Sequence, residues 1–146
     1  MQPFKFSLET VLKYRSEIEE SAKIEYQNAQ KNVTDAQIAV DEVKGEINHL
    51  IIRIDSGVYN EILDINSAFE YKGSLRSRLI KRESDLKVAT IKAKKAQNRL
   101  IEAKKELQIL EKLKDKKMTE YQKEVLLNEL KQLDEFIVMS HGRKQR

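Results

Sequence analysis

Between Ala22 and Ile54 the chain reads AKIEYQNAQKNVTDAQIAVDEVKGEINHLIIRI. Its apolar residues fall at Ala22, Tyr26, Ala29, Val33, Ala36 and Val40, then at Val43, Ile47, Leu50 and Ile54, alternating steps of four and three without a miss. Steps of this kind hold one stripe on one side of an α-helix, and a stripe this long needs a second helix beside it. The stretch is one half of a helical seam.

The other half lies further along. Leu75, Leu79, Arg82, Leu86, Ala89 and Ala93 are followed by Ala96, Leu100, Ala103, Leu107 and Leu110, again by fours and threes. Beyond Leu110 the phase slips through Leu113, Met118, Tyr121 and Val125, then resumes as Leu126, Leu130, Leu133 and Ile137; such slips change the local supercoil. Both seams are rich in alanine, which lets helix axes approach closely while burying less area per layer than leucine. At 1.5 Å per residue the second helix spans roughly 90 Å, which predicts a slender rod of moderate stability. Upstream of Ala22 the first phase meets Leu8 and Leu12 but also Arg15 and Glu19, while Val11 and Ile18 offer a second apolar line.

Turn punctuation is confined to Ser56-Gly57 and Lys72-Gly73. Tyr59, Ile62, Leu63, Ile65, Phe69 and Tyr71 make the intervening stretch too apolar for a linker. It is predicted to form a short helix that caps the far end of a hairpin or runs into the second helix. The expected fold is all-α, a single domain made of a long antiparallel two-helix coiled coil with a short middle helix near the turn. Its first helix covers about 7–55, the turn and short helix about 56–73, the second helix about 74–138 and a basic tail 139–146.

Charge selects the pairing. From Glu17 to Glu70 there are twelve acidic against four basic side chains, whereas Lys87 to Lys117 holds eleven basic against four acidic. Self-pairing of either helix sets like charges along the seam; antiparallel pairing within one chain sets acid against base. The expectation is a monomer. A hairpin also brings the opening PFKFSLETVLKYR, with Ser7 as N-cap and Phe6 stapled onto Val11, toward the closing LDEFIVMSHGRKQR. Two converging apolar ends serve either as a plug against fraying or as a docking tip.

Composition excludes other classes. With 36% charged residues, 6% aromatics, four glycines and one proline, the 146-residue chain suits long helices. Without cysteine there is no disulfide scaffold or thiolate metal site, and no apolar run approaches the length of a membrane span. The start lacks a signal-peptide pattern, so the expected location is cytoplasmic. His49 and His141 have no second ligand at metal-site spacing, so no metal or other cofactor is expected. The carboxylates lie on a solvated helix face, and the glycines form no phosphate-cradling loop; no catalytic residue is expected. The basic run KAKKAQNRLIEAKKELQILEKLKDKK permits phosphate contact, but an acidic helix neutralises it and stacking aromatics are absent, so no nucleic acid partner is expected. A passive tethering coiled coil predicts stable dimers, against the charge asymmetry.

Four stretches together resemble the flagellar type III export protein family FliJ: FKFSLETVLKYRSEIEE at 4–20, EYKGSLRSRL at 70–79, AKKELQILEKLKDKKMTEYQKE at 103–124 and LKQLDEF at 130–136. The ordered combination carries the resemblance, with the aromatic start, L-x-x-V-L-x-x-R and the late L-D-E-F in essentially the whole chain. The resemblance implies an antiparallel coiled coil, similar to a rotary ATPase stalk, whose paired termini insert into the hexameric flagellar export ATPase. Carried over, the tip comprises Leu8, Val11, Leu12 and Arg15 with Leu130, Leu133 and Phe136. It also implies contact with the transmembrane export gate protein and with export chaperones through Phe69, Tyr71, Leu75 and Leu79, at the cytoplasmic face of the flagellar basal body. Arg78 and Arg82 depart from the family pattern, and Leu75 and Leu79 continue the seam and are equally core candidates. The stalk protein of an injectisome shares this architecture.

Overall fold

The computed structural model of the chain describes residues 2–57, 59 and 61–144; the side chains of Leu63 and Lys144 fall outside that description. Two helices pack against each other: α1, Glu9–Asp55, and α2, Ile62–Lys144. The two-helix, all-α expectation holds, and every seam residue from Ala22 to Ile54 is buried or half-buried.

The helix boundaries differ from those the spacing predicts. α1 starts at Glu9 rather than at a Ser7 cap. The Phe6 carbonyl accepts from the Glu9 amide at 3.1 Å and the Leu8 carbonyl from the Leu12 amide at 2.8 Å, so the chain enters the helix through Leu8. α1 ends where Gly57 takes φ +76°, with the Ser56 amide donating to the Ile52 carbonyl and the Gly57 amide to the Ile54 carbonyl. Glycine supplies that left-handed conformation without a Cβ clash.

Of the two arrangements expected for the middle stretch the structure takes the second: from Ile62 onward it is no separate helix but the first turns of α2. Lys72-Gly73 is not a turn. Ala68 and Leu75 bury on Leu50 from the two sides of Gly73, and this packing outweighs the roughly 1 kcal/mol that a mid-helix glycine costs. Helix also replaces the expected basic tail as far as Lys144; Gln145 and Arg146, like Val58 and Asn60 in the turn, lie outside the described residues.

The chain divides into two compact units. In Glu20–Ile101 lie Ala22, Val40, Val43, Leu50, Ala68, Leu75, Ala96 and Leu100, which are the buried residues of this unit. Leu50, Ala68 and Leu75 form its densest cluster, with Ile47, Ile54 and Tyr59 packed against it. Glu25 pairs with Arg99 at 3.6 Å and Glu46 with Arg78 at 3.3 Å, so the two helices run antiparallel there, acid on α1 against base on α2.

The other unit joins Met1–Glu19 to Glu102–Arg146. Glu9 pairs with Lys114 at 2.9 Å and Arg15 with Glu106, again antiparallel, the second pair with its signs exchanged. Arg15 thus keeps its seam position by meeting a carboxylate across it. Of the described residues in this unit, Ala103 is the buried apolar one; Leu12, Ile18, Leu107, Leu110 and Met118 are half-buried. This seam is thinner than that of its neighbour, as polar Arg15 and Glu19 in its path require.

Candidate docking surfaces

The N-terminal arm, residues 2–8, is anchored on α2. The Phe4 ring packs on the Tyr121 ring with centroids 5.5 Å apart, and the Tyr121 hydroxyl donates to the Gln2 carbonyl. Phe4 and Phe6 are half-buried. The aromatic start therefore extends the seam past the end of α1.

The arm reaches no further than this. On α2, Met118, Tyr121, Val125 and Asn128 are half-buried, and every residue from Glu129 to Met139 is exposed. The apolar series that resumes at Leu126 therefore does not bury against α1, contrary to a continuous seam. Leu126 follows Val125 by one residue, about 100° around the helix, so the resumed series lies on a different face from the one that meets α1. Phase alone does not reveal this; the slip at Leu113 to Met118 turns the series away.

The seven expected tip residues consequently fall into two groups. Leu8, Val11, Leu12 and Arg15 lie alongside the stretch of α2 that carries Glu106 and Lys114. Leu130 stands 16 residues beyond Lys114, about 24 Å of helix rise, with Leu133 and Phe136 further still. Leu8 and Val11 are partly exposed, Leu12 is half-buried, and Leu130, Leu133 and Phe136 are exposed.

The four middle residues also separate. Leu75 is fully enclosed at 0% exposure and presents no surface, Leu79 is half-buried, and Phe69 and Tyr71 are exposed at 52% and 49%. The Lys72 ammonium stands 5.9 Å from the Phe69 ring centroid. Arg78 is engaged with Glu46, and Arg82 with Asp85 at 3.7 Å.

Among the described residues no cluster of three acidic or histidine side chains could hold a metal ion, and no helix is long and apolar enough to cross a membrane. The concavities are open grooves; one is lined by Ala29, Ala89 and Ala96, where paired alanines leave the flanks shallow. What this surface offers is contact area on helices.

A family model described as Flagellar FliJ protein matches residues 4–146. No curated protein and no solved structure matches the chain significantly.

Proposed function

The chain belongs to the flagellar FliJ protein family, and from that membership in a non-catalytic, export-related family we propose that it is the central stalk of the flagellar type III export apparatus. In this reading its terminal end docks into the hexameric export ATPase and promotes ring assembly and activity. Leu8, Val11, Leu12 and Arg15 make one part of that contact and Leu130, Leu133 and Phe136 the other. The exposed α2 face beyond Asn128 carries the proposal, because a helix end that leaves this much apolar side chain in water suits an intermolecular contact. A single stalk cannot match six subunits at once, so individually weak contacts with charged flanks fit the task.

Coupling to the transmembrane export gate protein and escort of export chaperones are assigned to Phe69, Tyr71 and Leu79; Phe69 and Tyr71 stand about 200° apart around α2, on the two flanks of the buried line that holds Leu75. The working site is the cytoplasmic face of the basal body, and the chain is a monomer before it docks. ATP chemistry belongs to the ring.

The test is the ATPase rate of the cognate export ATPase with and without the chain, with its mass in solution from light scattering. Stimulation by a monomer, lost in a Leu8→Ala, Leu12→Ala, Phe136→Ala variant of unchanged helicity, is the expected result. No stimulation together with a dimeric mass returns the chain to a passive tether.

A further inference from the structure

The outer face of α2 in the unit formed by Met1–Glu19 and Glu102–Arg146 carries two halves of one pattern. Lys105, Lys112, Lys116 and Lys123 follow one another at intervals of seven, four and seven residues, and Leu126, Leu130, Leu133 and Ile137 continue at three, four, three and four. Intervals of this kind keep all eight on one side of a helix. No carboxylate falls among the four lysines in that register; Asp115 and Glu129 border the face, and Asp134 lies on it beside Leu130 and Ile137.

All four lysines are exposed, and among the described residues none is in an ion pair; Lys114 and Lys117, paired there with Glu9 and Glu120, point elsewhere around the helix. Lys112 and Lys116 stand four apart, where like charges repel and weaken a helix. An anionic partner relieves that repulsion. The four aliphatic residues are between 49% and 57% exposed, an apolar strip on the order of 400 Å², the size of the largest exposed patch on a typical monomer, which is often a functional one. Their spacing by threes and fours is that of a helix-pairing seam, and α1 does not supply the second helix there.

We infer that this face is a docking surface for an amphipathic helix of a partner protein, with carboxylates along its stretch against Lys105 to Lys123 and aliphatic residues along its stretch against Leu126 to Ile137. Two other occupants fit less well. On an anionic bilayer Glu129 and Asp134, which flank the apolar strip, meet lipid charge of their own sign. In a second copy, parallel pairing sets lysine against lysine, and antiparallel pairing at the apolar strip leaves the lysines without acids. The face shares Leu130 and Leu133 with the ring contact of the stalk reading, so the partner helix and the ring are competing occupants of those two side chains, while the lysine half belongs to this inference alone.

The experiment titrates the full chain against two labelled synthetic helices of about 33 residues, matching the length of the face at 1.5 Å per residue. Both carry leucine along one half; the other half presents glutamate in one peptide and lysine in the second. Fluorescence anisotropy at low salt should show the glutamate peptide binding at about 1–10 μM, as for small transient interfaces, and the lysine peptide at least about tenfold more weakly. Replacing the four lysines by glutamate should reverse that preference. Leu130→Asp should weaken binding of both peptides about tenfold at unchanged helicity. Equal affinity for the two peptides, or a preference that survives the lysine reversal, overturns the inference. So does tighter binding to vesicles holding about 30 mol% phosphatidylserine than to the glutamate peptide, or a dimeric mass that Leu130→Asp abolishes. Because no ATPase is present, the stalk reading can fail while this inference stands, and the reverse.

Discussion

Tyr121 holds the start of the chain at two points: its ring packs on Phe4, and its hydroxyl donates to the Gln2 carbonyl. The arm is an extension of the seam rather than a fraying end, and removing its two attachments separately should show how much each contributes. Tyr121→Phe keeps the ring contact and loses a partly solvated hydrogen bond, with an expected loss of about 1 kcal/mol in urea unfolding. Tyr121→Ala loses both and should cost about 2 kcal/mol. Hydrogen exchange should quicken at the amides of Glu9 and Leu12 in the alanine variant, whose first turn the arm steadies, while amides around Leu75 stay as they were.

Two leucines at equivalent points of the sequence pattern should behave oppositely. Leu75 is fully enclosed against Leu50 and Ala68, so Leu75→Ala should cost about 2–5 kcal/mol in urea unfolding. Leu133 has the same neighbours in periodicity but stands in water, and Leu133→Ala should change stability by no more than about 0.5 kcal/mol. A large loss at Leu133 shows that its face is already covered in the free chain, and removes it from the docking surface.

That contrast also marks how far the sequence carries. The two helices and their antiparallel pairing were legible because periodicity and charge asymmetry are properties of long stretches: Ala22 to Ile54 is an unbroken series, and Glu25 meets Arg99 as the acid and base blocks require. The junction was legible only as two alternatives, because Gly73 reads as a turn residue and only the burial of Ala68 and Leu75 on either side shows that the helix continues through it. The faces at the far end of α2 were left open for a third reason. Leu126, Leu130, Leu133 and Ile137 have the spacing of a seam, but spacing does not say whether a partner helix still runs alongside, and here α1 has already given way to the arm. Exposure of Phe69 and Tyr71 was likewise open, since an apolar residue beside a seam fits either side of its edge.

The alanine layers should resist a change that a heptad pattern alone welcomes. Ala96 and Ala103 are both buried, at positions where a leucine is the commoner coiled-coil residue. Ala96→Leu adds volume where the helices are already in contact, so a loss of about 1–3 kcal/mol is expected from overpacking. Ala29, half-buried in the same groove, has more room and should tolerate the same change at a smaller cost. A gain in melting temperature for Ala96→Leu shows that the seam there is underpacked and that the groove reaches beneath Ala96.

Phe69 and Tyr71 are positions at which a contact with a partner can be told apart from a role in folding. Both are about half exposed on α2, while the neighbouring Ala68 and Leu75 carry the packing. A double change, Phe69→Ala with Tyr71→Ala, should therefore shift unfolding by less than about 1 kcal/mol. If the pair makes the export-gate contact, the double variant should retain stimulation of the ATPase while losing binding to the soluble part of the gate protein and swimming motility. Loss of all three together with a lowered melting temperature points instead to a packing role. The measurement that decides is binding to the gate at matched helicity, because Leu75→Ala lowers stability through the core of the same stretch of α2 and supplies the control for an indirect effect.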